Sequence, residues 1–155
     1  MIRREGLRRH MFIAAMAVAM ALLIAVLLNA APGIDPRTLV QGREIYLARC
    51  AQCHGKNLEG QKDWKTPLAS GRLPAPPHDV TGHTWHHADS VLVGVTRHGL
   101  KPYAGENYES DMPAFDGILT DAEIDAIWAY VKSTWPDRQR QYQEQITRQA
   151  GATTK

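Results

Sequence analysis

Cys50-Ala51-Gln52-Cys53-His54 is the stretch on which the reading of this chain turns, and it holds both cysteines of the 155-residue sequence. Two cysteines separated by two residues can be a redox dithiol, half of a zinc site or a haem attachment. A thioredoxin-type dithiol expects strand–helix–strand surroundings, and no run here has convincing strand alternation. A structural zinc site needs two further ligands, which would have to come from His78, His83, His86, His87 or His98. The adjoining His54 favours the third reading. Thiols three positions apart near a helix terminus can each bond one haem vinyl carbon, and the next residue then points its imidazole at the iron. Cys50 and Cys53 are therefore the expected attachment points of one covalent haem c, and His54 one axial iron ligand.

What such a haem does depends on its second axial ligand. Of the five methionines, Met1, Met11, Met16 and Met20 lie near the N-terminus, which leaves Met112 in the body. It stands in Asp111-Met112-Pro113-Ala114-Phe115. Pro113 restricts Met112 to an extended conformation, which suits a side chain presented from a loop. A Met filling a loop core is the bland alternative. Beside an attachment motif, the reading as the sixth ligand is preferred, and Met/His ligation raises the reduction potential.

Working outward, Asp35-Pro36 is a helix start, with an N-cap acceptor followed by proline at the first helical position. The first helix is expected from about Pro36 into the Cys50 region. Residues 55–86 are dense in Gly and Pro and hold no long regular element. So long a loop needs something to fill its interior, and a haem would do so. A second helix is expected over about Ala88 to His98, stopped by Gly99. Thr120-Asp121-Ala122-Glu123 is a capping box opening a last helix, with Ile124, Ile127, Trp128 and Val131 at helical spacing and Pro136 as the stop. The polar residues 137–155 are expected as a tail or frayed helix without assigned function.

The body, about Asp35 to Pro136, resembles a class I cytochrome c. The resemblance rests on the attachment motif ending in His54-Gly55, on the Met112-Pro113-Ala114-Phe115 segment and on the pair of terminal helices. It implies an all-α fold, a small cytochrome c fold of about three to four helices wrapped on the haem. It also implies that a glycine of the first helix meets an aromatic residue of the last where the two cross. Gly42 and Tyr46, with Ile127 and Tyr130, match that pattern. A proline carbonyl accepting the His54 Nδ1–H is implied as well; Pro74, Pro76 and Pro77 are candidates, and Pro76 is favoured.

The formal net charge of +2 is too small to argue for nucleic acid. Arg3, Arg4, Arg8 and Arg9 precede an uncharged apolar run from Met11 to Ala31. That run is long enough to cross the hydrocarbon core, whereas a cleaved signal would have an apolar region of only about 7–15 residues. The expected organisation is a basic cytoplasmic N-terminus (1–10), a transmembrane anchor (11–31) contacting lipid, a linker (32–35), a cytochrome domain (36–136) and a tail (137–155). The arginines place the N-terminus inside and the haem domain in the periplasm of a bacterial inner membrane.

The expected function is single-electron transfer between redox proteins at that membrane, with no enzymatic activity and no small-molecule substrate. Two alternatives stay open. One is catalysis or gas sensing at an open sixth position. The other is copper handling by the tract His78, His83, His86 and His87, which surrounds Trp85. Trp85, Arg97 and Tyr103 are candidate partners of the haem propionates by residue type. Lys56, Lys62 and Lys65 form a candidate docking rim.

Overall fold

The computed structural model describes residues 34–153, together with Met16 and Met20. The chain falls into two compact units, Met1–Gly33 and Ile34–Lys155. Of the first, the two described methionines are helical and exposed. The expected anchor at 11–31 otherwise lies outside the described residues. No helix among the described residues is long and apolar enough to cross a membrane. A span needs about 20 apolar residues, and the longest described helix, Asp137–Thr153, has 17 and is largely polar. The inner-membrane location expected from the sequence is corrected on this finding.

The second unit is helical, with no strand among the described residues. Its elements are α1 (Pro36–Arg49), α2 (Ala51–His54), a 3-10 turn (Thr84–His86), α3 (Asp89–His98), α4 (Lys101–Ala104), α5 (Asp121–Ser133) and α6 (Asp137–Thr153). Helix α1 starts as its sequence dictates: the Asp35 carboxylate accepts the Arg37 N–H at 2.9 Å and Pro36 occupies the first turn. Helix α5 opens on a closed capping box. Thr120 Oγ1 accepts the Glu123 N–H at 3.3 Å, and the Glu123 carboxylate accepts the Thr120 N–H at 2.8 Å.

Two faces then meet with almost nothing between them. A Cβ on Gly42 would lie 1.9 Å from the Ala126 carbonyl oxygen, so α1 and α5 cross backbone against backbone. Only glycine permits that approach. Around the crossing lies the core of Tyr46, Ala51, Leu58, Leu92, Ile124, Ile127, Trp128, Val131 and Trp135. Helix α3 joins through a buried hydroxyl: the Trp128 Nε1–H donates to Thr96 Oγ1 at 3.1 Å, and Thr96 donates to the Leu92 carbonyl at 2.9 Å.

The 137–153 segment differs from the frayed tail expected of it. It is a 17-residue helix fastened by Gln143, whose side chain is 1% exposed. Gln143 Nε2 donates to the His87 carbonyl at 3.1 Å and to Asp89 at 2.7 Å. The same Asp89 carboxylate accepts Lys132 Nζ from α5 at 2.9 Å, so one side chain ties α3, α5 and α6. Pro136 ends α5 but also begins α6, its carbonyl accepting the Gln139 and Arg140 N–H groups. Proline breaks a helix it sits within, yet it is tolerated at the start of the next.

Candidate haem-binding site

Helix α1 runs into α2 through Cys50, whose N–H still bonds to the Tyr46 carbonyl at 2.8 Å. This continuity puts Cys50, Cys53 and His54 on one turn beside the core. Both cysteines are half-buried and unbridged. Burial, with Cys53 beside it, pushes the Cys50 thiol up to about 11. A redox dithiol relies on the opposite, a thiol lowered to give thiolate at neutral pH. Cys50 is accordingly held as a thiol and lacks the lowered pKa on which a redox dithiol depends.

His54 is buried and closes α2. Its Nδ1 lies 2.9 Å from the Pro76 carbonyl oxygen. A carbonyl can only accept, so Nδ1 carries the proton. Burial holds the imidazole below its ordinary pKa, opposed in part by that carbonyl. A neutral ring protonated at Nδ1 leaves Nε2 with a free lone pair, the tautomer a metal requires.

Pro76 is brought there by the loop that follows the motif. The Gly60 N–H returns to the His54 carbonyl at 2.8 Å, and the Gln61 N–H bonds to the Ala75 carbonyl at 2.9 Å. At Gly60, φ is +67° and a Cβ would lie 2.5 Å from the Pro77 nitrogen, so both torsion and space demand glycine. Leu58 is also left-handed, at φ +69°. It is held there by its buried side chain and by a carbonyl accepting both the His78 and Asp79 N–H groups.

Met112 is half-buried on a different segment, its N–H donating to Ser110 Oγ at 3.0 Å. That segment is pinned to the end of α3, since the Phe115 N–H bonds to the Thr96 and Arg97 carbonyls, each at 3.1 Å. Arg72 reaches across to Asp111 and, at 2.8 Å, to Glu109, tying the loop before Pro76 to the loop bearing Met112. Cys50, Cys53, His54 and Pro76 thus form one cluster, and Met112 arrives on its own loop.

The histidine tract divides, with His83 and His87 in ring contact at 5.2 Å and His78 apart from them. His78 turns inward and stacks on His54, with ring centroids 4.0 Å apart and planes 19° apart. His83 stacks on Trp64 at 5.3 Å, and His86 lies against Trp85. Among the described residues, no group of three His, Cys, Asp or Glu side chains is placed to hold a metal ion.

Of the three candidates for the propionates, Arg97 is paired with Asp121 and Tyr103 packs its hydroxyl over Gly94. Trp85 differs. Its Nε1–H is buried without a hydrogen-bond partner among the described residues, and a native structure leaves few such groups. The Nε2 lone pair of His54, on one turn with the unbridged Cys50 and Cys53, makes a set that fits a covalent haem.

Residues 39–135 match the cytochrome c family, and the chain belongs to it. A cytochrome c6 from Nostoc sp. is 32% identical over 95 residues, covering 59% of this chain and 67% of that relative. No solved structure matches the chain. The cofactor is accordingly covalent haem c, and membership and relative together support haem-based electron transfer by a carrier rather than an enzyme.

Proposed function

We propose that the protein is a monohaem electron carrier in which Cys50 and Cys53 form the thioether links and His54 and Met112 fill both axial positions. The observation that carries this reading is the 2.9 Å contact from His54 Nδ1 to the Pro76 carbonyl. It selects the tautomer with Nε2 available and makes that nitrogen a better donor. When bound, the haem supplies a one-electron couple, and the thioether of Met112 favours its ferrous form. Protein ligands on both faces leave no place for a substrate. The partners on this reading are other redox proteins, met through a small and brief interface.

The test is the optical spectrum of the purified ferric protein. The expected result is the weak red-edge charge-transfer band of a thioether on ferric haem, present in the wild type and lost in Met112→Ala. A high-spin spectrum without the band would put catalysis or gas sensing at an open sixth position in its place. A low-spin spectrum without it would assign that position to another histidine.

A further inference from the structure

We infer that His78 is a positioning residue for the iron-binding imidazole, a flat plate that sets the plane of the His54 ring. The inference rests on the assignment of His54 as an axial ligand. The rings are stacked with centroids 4.0 Å apart and planes 19° apart. Face-to-face stacking at that distance leaves no room for a haem between the two rings, so His78 shares the His54 side and is not the opposite ligand.

A plate is useful only if it is itself immobile, and His78 is held on every side. Thr84 Oγ1 donates to the Pro77 carbonyl at 3.3 Å, which leaves it to accept the His78 Nδ1–H at 2.8 Å. The His78 N–H bonds to the Leu58 carbonyl at 2.7 Å, and its own carbonyl accepts the Trp135 Nε1–H at 2.7 Å. Trp128 meets the ring edge-on at 5.4 Å, and Tyr46 does so at 6.5 Å.

The residue type is what separates positioning from packing. An imidazole is costly to bury and needs a hydrogen-bond partner, whereas an aliphatic side chain would fill the same space without one. Here the fold supplies Thr84, itself buried, as that partner. What an aliphatic group could not supply is a flat face. The Pro76 hydrogen bond fixes the His54 tautomer, but hydrogen bonds tolerate tens of degrees of misalignment. A parallel ring against the His54 face removes that remaining freedom.

The test uses the haem-loaded full chain and its His78→Leu, His78→Phe and Thr84→Val variants. The readout is the pattern of hyperfine-shifted haem methyl resonances in the ferric state, which reports the orientation of the axial ligand plane. The expected result is a reordered pattern in His78→Leu and a smaller change in His78→Phe, which keeps a flat ring. An unchanged pattern in His78→Leu overturns the inference, as does a His78→Phe pattern that departs as far as that of leucine. If His78→Leu takes up no haem, Thr84→Val decides, because it keeps the ring and removes the bond orienting it. A shifted pattern then supports the inference, and a wild-type pattern overturns it. The charge-transfer band in the same samples reports separately on Met112, so failure of the axial assignment is distinguishable from failure of the plate.

Discussion

Trp135 shows how one side chain serves both stability and the site. It is 1% exposed, and its indole nitrogen donates to the carbonyl of His78 at 2.7 Å. Trp135→Phe keeps most of the ring and deletes the donor, leaving that carbonyl short of a partner. A buried group left unsatisfied costs about 1–3 kcal/mol, so urea denaturation is expected to show the variant less stable than the wild type by about that amount. Because the bond ends on His78, the variant is also expected to disturb the haem methyl pattern. A stability loss with unchanged resonances would show that the backbone at His78 is held well enough by Leu58. None of this is visible from the residue letters. His78, His83, His86 and His87 look alike in sequence, and only the inward turn at Pro76-Pro77 separates the first from the others.

At the scale of elements, the crossing of α1 and α5 is the joint on which the motif is carried. Gly42→Ala sets two effects against each other. Alanine is a better helix former by up to about 1 kcal/mol, but its Cβ would lie 1.9 Å from the Ala126 carbonyl oxygen. A backbone atom cannot rotate aside, so the helices must separate. Overpacking of this kind costs about 1–3 kcal/mol. The clash wins, and Gly42→Ala is expected to lower the Tm of the holoprotein; a raised Tm would mean that the helices part freely. The starts of α1 and α5 and the Gly99 end of α3 were legible in advance because caps and glycine stops are local signals. Helix α6 was not legible. Its sequence is largely polar, and Pro136 reads equally as a stop or as a beginning.

For the whole molecule, the question is what α6 adds. None of Cys50, Cys53, His54, Pro76 or Met112 hydrogen-bonds to it, whereas the Asp89 hub and the His87 carbonyl do, through Gln143. Ending the chain at Pro136 is therefore expected to leave the optical spectrum of the loaded protein unchanged and to lower its denaturation midpoint. Loss of the charge-transfer band on truncation would instead make α6 part of the haem's surroundings. The sequence by itself determined the attachment motif, the lone methionine of the body and the helical class. Each of these depends on residues within a turn or two of one another. The tertiary structure chose among the three candidate prolines by setting the Pro76 carbonyl against His54, and it alone decided that His78 lies flat beside that ring, that α6 docks through a buried glutamine and that the Trp85 donor is buried. Those are relations between segments distant along the chain. They follow from how loops close around the core, which local spacing does not encode.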